Sequence, residues 1–415
     1  MGILGLTVEE INANPSILNG RSISGTGSDG AGYDGLRLEN VTLSHTTFNN
    51  MWSVRFYFKN VVFKNCSFID CEFYEGHMEN VIFKGGVMSN STTRQEAGHK
   101  SVDWRSVNVN KVVLDGVSMR GAKLGGMWGG SMTFRNMSAF GGYRDGAILI
   151  GRDLQFRIDN CKLDANAAAT EEDLAICDIY GYGADVNTIY ATNSKFTNRS
   201  GFGNSKTRAT YIDNCEFTGS ASLGYPQVMV VKNSTLAIAP TRGGNLYFVN
   251  NKFVPFLNRY GQSSPSSINS TNVYIFNDKT ALKSEGGGKN AAPMPIHVKG
   301  GGANIYNLDL QEPRLQGDIK YLNLRNVRIL GGEWFDLNLR GGQWENVEIH
   351  KPIEIKGAAP QFGKDLKFYN LTFHPPAPTG PFNVPIRFSA KESKQPFEWP
   401  EVHVPTLKEM GINPD

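Results

Sequence analysis

The sequence predicts an all-β fold, with the chain wound as a right-handed parallel β-helix. Three observations lead there. Between Phe58 and Phe83, large apolar residues recur at Phe58, Phe63, Phe68 and Phe73, and Asn60, Asn65 and Asp70 each follow two places behind the first three. A step of five fits neither a helical period nor the alternation of a long strand, so the chain must turn a corner about every five residues. Four steps close one lap, displaced by one strand spacing, ~4.8 Å, along an axis. Second, LENVTL, FKNVVF and MENVIF set Asn40, Asn60 and Asn80 at 20-residue intervals. Third, the same hexad returns more loosely at Asn136, Asn160, Asn193, Asn214, Asn233, Asn251, Asn326, Asn346 and Asn370. Repeats of this period mark solenoids, whose units bury their apolar faces only by stacking. The asparagines are expected to cap a corner, their amides bonding from coil to coil. A β-sandwich would instead call for hairpin pairs such as Asn-Gly, which are scarce here.

The elements follow in order. Residues 1–35 read as a cap and lead-in. Thr7-Val8-Glu9-Glu10 fits a capping box, and a helix over about 8–14 should end before Pro15. Such a cover is what the open end of a solenoid needs. The β-helix occupies 36–373, with tight coils over 36–90 and fatter ones expected from about residue 100. Asn80 and Asn136 lie 56 residues apart, and Asn160 and Asn193 lie 33 apart. Extra residues in a coil are placed in loops on one side, often the functional one. The inserts are 91–130, 141–146, 164–185 and 256–303. Within them 164–177 reads as a short helix, and the Gly, Ser and Pro of 256–303 would suit a domain break. Residues 374–415 are proline-rich and almost aperiodic. Proline cannot donate to a ladder, so an extended tail is expected, with a one-turn amphipathic piece near Leu407–Met410.

Composition narrows the function classes. A net charge of +3 over 415 residues offers no basic stripe for nucleic acid. No run of 18 apolar residues is present, so no membrane insertion is expected. The N-terminus shows no basic region followed by an apolar run, so no secretory signal is expected. Residence in the cytosol, export by a signal-independent route or assembly into a phage particle all fit. Of the five cysteines, Cys66, Cys161 and Cys215 share one place in the hexad and read as buried thiols. No paired Cys or His motif suggests a metal, and no cofactor motif is found.

The inserts gather the residues with chemical potential. Trp104, Trp128, Tyr143, Tyr180 and Tyr182 could stack on sugar rings, and Arg105, Arg144 and Arg152 could bind anionic groups. Asp145, Asp178 and Asp185 are the acid or base candidates, since glycoside hydrolysis uses two carboxylates roughly 5–9 Å apart. Against this, Asp and Arg at solenoid corners are commonly solvated or paired, and Tyr180 and Tyr182 alternate as strand residues do. His99, His297 and His350 lie far apart and read as surface or loop residues.

Over 36–373 the sequence resembles the right-handed β-helix of pectin-lyase-like proteins, and residues 36–90 resemble pentapeptide-repeat coils in phase. Phe stands where the pentapeptide class prefers Leu, and the chain lacks the strong acidity of pentapeptide-repeat duplex mimics. The catalytic patterns of the β-helix polygalacturonases, pectate lyases and epimerases are absent, so the resemblance implies fold and not activity. Two functions are expected from these features. The first is a rigid binding scaffold, of bacterial-effector or phage-adhesin type, docking a polysaccharide or a partner protein on the insert face. The alternative is a polysaccharide hydrolase or lyase using the same face. Side-by-side homotrimers occur among β-helices, but nothing here requires one.

Overall fold

The computed structural model describes residues 6–24, 31–89, 102–120, 123–140, 148–150, 154–165, 187–198, 202, 207–218, 223–237, 243–254, 256–257, 263–264, 267–268, 272–277, 279–280, 297–374 and 391–415. They form an all-β parallel solenoid of about 12 turns with a short N-terminal helix. The chain divides into two compact units, one of residues 1–208 with 412–415 and one of residues 209–411. No helix among the described residues is long and apolar enough to cross a membrane.

In the first unit the expected helix is present as α1 (Val8–Ala13). Its capping box is complete: the Glu10 N–H donates to Thr7 Oγ1 at 3.2 Å, and the Thr7 N–H donates to Glu10 Oε2 at 2.7 Å. Ile11 and Leu18 pack over Ile23, Tyr33 and Leu36, which closes the apolar end of the stack. The Asn12 amide pins the helix there, donating to the Gly35 carbonyl at 3.1 Å and accepting from the Arg37 N–H at 2.6 Å.

The coils then run through β1 (Arg37–Ser44), β2 (Tyr57–Lys64), β3 (His77–Lys84) and β4 (Val107–Asp115). Tyr57 lies beside Arg37, His77 beside Tyr57, and Asn108 beside His77, all in parallel register. Asn40, His45, Asn50, Arg55, Asn60, Asn65, Asp70, Glu75 and Asn80 all adopt left-handed backbone with φ between 49° and 55°. Every fifth residue is therefore a corner, and the predominance of Asn follows from its tolerance of this conformation. Between corners, Phe58, Phe63, Phe68 and Phe73 point inward and are buried. Register stacks like on like: Phe68 lies on Phe48 and Phe83 on Phe63, each at 4.8 Å between ring centroids and nearly parallel.

The asparagine ladder is real, but it comprises two files where the sequence suggested one. Asn60 Nδ2 donates to Asn40 Oδ1 at 2.8 Å, and Asn80 Nδ2 to Asn60 Oδ1 at 2.9 Å. In the next coil this corner belongs to Lys111, which keeps the turn with φ 54°. Asn136 belongs to the following corner, the file of Asn65, Gly85 and Gly116, as the pairing of Lys64 with Lys84 and of Asp115 with Lys84 and Arg135 shows. The 56-residue interval from Asn80 to Asn136 is thus no single stretched coil. It contains one long coil, Asn80 to Lys111, and one ordinary coil, Gly116 to Asn136, viewed at different corners. Glycine hides the second file. A Cβ on Gly85 would stand 2.4 Å from Asn65 Oδ1, so a side chain there would require the Asn65 amide to shift. The file resumes with Asn160 Nδ2 donating to Asn136 Oδ1 at 2.8 Å.

Cys66, Cys161 and Cys215 sit directly after corner asparagines and, with Cys71, are buried and form no disulfide. Burial pushes the Cys71 thiol up to about 12 and the Cys161 thiol to about 11, so these are packing groups rather than nucleophiles. Cys177 lies outside the described residues.

The second unit contains β5 (Gly302–Gln311), β6 (Tyr321–Leu330), β7 (Glu333–Lys351) and β8 (Gln361–Phe373). Its laps vary in length, and several are as short as those of the first coils. Ala209 pairs with Val228, Val228 with Asn245 and Gly302 with Tyr321, so laps of 19, 17 and 19 residues occur here. The amide ladder continues at 3.1, 2.9, 3.0 and 2.8 Å through Asn277, Asn307, Asn326, Asn346 and Asn370. One assignment shifts by a residue. The corner is Asn250, with φ 58°, while Asn251 is buried, donates to the Val231 carbonyl and accepts from the Ser234 N–H.

The end of the tail lies against this unit. Lys391–Glu392 pairs with Lys367–Phe368. The Phe397 N–H and the Trp399 indole N–H both donate to Glu345 Oε2, at 2.8 and 2.9 Å. The Trp399 ring meets Tyr306 edge-on at 5.3 Å and lies 5.6 Å from the Arg325 guanidinium. Tyr306, Arg325 and Glu345 occupy one register row of three successive coils. The one-turn piece near 407–410 exists, with the Met410 N–H bonded to the Thr406 carbonyl at 3.0 Å.

Candidate functional site

Of the residues singled out from sequence, three fall among those described. Trp104 is a core residue and not a sugar platform. Its side chain is 1% exposed, it pairs in register with Phe73, and it packs on Phe83 at 5.5 Å. It extends the aromatic column of the tight coils, and stacking on a ligand needs an accessible face. Arg105 is exposed, but its guanidinium is engaged: Nε bonds buried Asp103 at 2.7 Å, and the group lies 5.3 Å from the Tyr74 ring. Trp128 is 47% exposed and sits on the coil after Arg105, beside Asn108. Tyr143, Arg144, Asp145, Arg152, Asp178, Tyr180, Tyr182 and Asp185 lie outside the described residues.

The described residues do form a polar site, in the second unit on the outer face of β5, β6 and β7. There Asp309, Arg328 and Glu348 stand in one register row, because Asp309 pairs with Arg328 and Arg328 with Glu348. The amide file Asn307, Asn326 and Asn346 runs alongside. Together they line an open groove of about 350 Å³. Arg328 Nε donates to Asp309 Oδ1 at 2.7 Å, with a second guanidinium contact to the same carboxylate, so the cation is held in a two-pronged pair.

At one end of this row three potential ligands converge. Glu348 and His350 share the outer face of β7, two residues apart, as strand alternation requires. Thr372 pairs with Glu348 and Phe373 with Ile349, and the His374 N–H continues the ladder to the Ile349 carbonyl at 2.9 Å. His374 therefore lies directly over His350. The two imidazoles stack with centroids 4.1 Å apart and planes inclined by 21°. Both aim Nε2 at one oxygen, Glu348 Oε2, at 2.6 Å for His350 and 3.3 Å for His374. The His350 imidazole, and after it that of His374, holds the Glu348 carboxyl below its ordinary value. The ligand atoms of all three lie within 4.8 Å of one another.

No protein family, curated protein or solved structure matches this chain.

Sequence reading missed this site. His350 was set aside as an ordinary residue, and His374 drew no notice in the aperiodic tail. The signal was the ladder. His350 stands four places after Asn346, and His374 four places after Asn370. Aligning coils on those asparagines superposes the two histidines.

Proposed function

We propose that the protein is a rigid β-solenoid scaffold that docks a glycan or a partner protein on a lateral face. The observation that supports this reading is the open groove of about 350 Å³, in which Asn307, Asp309, Asn326, Arg328, Asn346 and Glu348 line the wall together with Leu308 and Val327. Its volume is in the range of small-ligand sites. Its lining combines Leu308 and Val327 with amide, guanidinium and carboxylate groups held in register by neighbouring coils, so its donors and acceptors are fixed before any ligand arrives. Such a mixed surface suits a glycan, whose hydroxyls and carboxylates meet the polar groups and whose ring faces meet the apolar ones. The insert face expected from sequence, with exposed Trp128, remains a second contributor to docking under the same reading.

Affinity electrophoresis of the full chain through gels containing bacterial and plant polysaccharides tests this. The proposal expects at least one polysaccharide to retard the wild type, with Arg328→Ala restoring mobility and Arg55→Ala, a comparable cross-coil pair elsewhere, leaving retardation intact. Release of reducing ends or unsaturated uronates would replace docking with catalysis. No retardation on any polysaccharide would remove the glycan, and a protein captured through the Arg328 face would put a protein in its place.

A further inference from the structure

We propose that Glu348, His350 and His374 form a binding site for a divalent first-row transition ion, of which zinc is the best fit. The inference does not depend on glycan docking and rests on the geometry of two adjacent coils.

Parallel in-register pairing puts His374 one strand spacing beyond His350, and strand alternation puts Glu348 on the same outer face. The result is two imidazole nitrogens and a carboxylate oxygen directed at one point, with all three ligand atoms within 4.8 Å of each other. Zinc binds imidazole nitrogen at about 2.0–2.1 Å and carboxylate oxygen at about 2.0–2.2 Å, which sets ligand atoms a little over 3 Å apart in a tetrahedron. His374 Nε2 already lies 3.3 Å from Glu348 Oε2, and His350 Nε2, at 2.6 Å, needs only a small outward rotation. An ion would replace the two N–H···O contacts with bonds to itself. Two histidines and one carboxylate favour zinc, nickel or copper over magnesium and calcium, which prefer all-oxygen cages.

The surroundings do not oppose a cation. The nearest one in the register row, Arg328, is paired with Asp309. Glu348 and His350 lie on β7, and His374 directly follows the end of β8 with its N–H bonded to the Ile349 carbonyl, so all three backbones are held by the ladder. Glu348 and His350 are half-buried and His374 is exposed, which leaves the remaining coordination positions to water or to a ligand in the adjoining groove.

Isothermal titration of ZnCl2 into tag-free, chelator-treated full-length protein provides the test, with Co2+ absorption as a spectroscopic companion. The expected result is one ion per chain, with His350→Asn and His374→Asn each weakening binding by at least about tenfold. His403→Ala, a histidine bound elsewhere to Glu409, should leave affinity unchanged. Should a histidine variant fail to fold by circular dichroism, Glu348→Gln takes its place, since it keeps the side chain's shape and removes the anionic ligand. No uptake by the wild type, or uptake unaltered in the folded variants, would overturn the assignment.

Discussion

Residues 36–88 and residues 302–374 turn the same kind of corner but are filled and decorated differently. In the first region the interior is a column of phenylalanines, the corners recur every five residues, and Lys59 and Glu79 form an outward, half-buried ion pair at 3.1 Å. In the second the interior is aliphatic with Trp334 and Trp344, glycines take several corners, and register shifts interrupt the pairing of β7 with β8. It also buries charge. Glu333 and Glu345 are each 5% exposed, the first bonded by Lys356 at 2.7 Å and the second by the tail. A solenoid coil is thus stable with either filling, and the departures from regularity coincide with what the coil carries on its outside: a docked tail and a Glu-His-His cluster.

The contrast can be broken most strongly at the regular end. Phe63→Ala would leave a hole in the aromatic column, where Phe63 touches Phe48, Phe58, Phe68 and Phe83, and should cost about 3–5 kcal/mol in a urea melt. An equal loss from Phe335→Ala, which points outward in the second region, would show that the column has no special role.

That column is also why the fold was legible. The buried Phe and the corner Asn report the same five-residue step from two sides of the chain, so period and facing could be read together. Trp104 was misread because its aromatic character suggested a platform, whereas its register with Phe73 places it inside. The second file of corners was hidden where Gly85 and Gly116 replace asparagine. The site was sought in the inserts, where aromatic and acidic residues cluster, while His350 and His374 become neighbours only after a full lap.

At the irregular end, Glu345→Ala should free the tail. It removes the acceptor of both the Phe397 and Trp399 N–H groups, hydrogen bonds to a charged group worth roughly 1.5–3 kcal/mol. Trp399 fluorescence should shift to the red and trypsin should cut at Lys394 faster than in the wild type. Unchanged cleavage would mean the tail is held by other contacts.

A smaller effect is expected at the ladder. Asn60→Ala loses two amide contacts and places alanine at φ 55°, for a combined cost of about 2 kcal/mol, while Asn60→Gly should lose less because the backbone strain is relieved. Equal losses would assign the effect to the amide bonds alone.

The least costly perturbation is acid. The Thr406 N–H, with His403 and the Thr406 hydroxyl, holds the Glu409 carboxyl down at about 2. Its folded value is depressed, so its stabilisation of the last turn is full above the ordinary carboxylate range and is lost as pH falls through about 2. Carboxyl NMR shifts should place the Glu409 midpoint near 2, and Thr406→Ala should move it upward.

The solenoid is held by in-register pairing of its coils, and cysteine trapping measures register directly. Val62 and Ile82 are partners on β2 and β3, half-exposed on the same face, at a separation a disulfide can span. The Val62→Cys, Ile82→Cys double variant, oxidised and mapped by mass spectrometry, should yield the 62–82 cross-link far faster than the offset pair Lys64→Cys, Ile82→Cys. Equal rates for the two pairs, or no 62–82 cross-link, would contradict a stack of in-register coils.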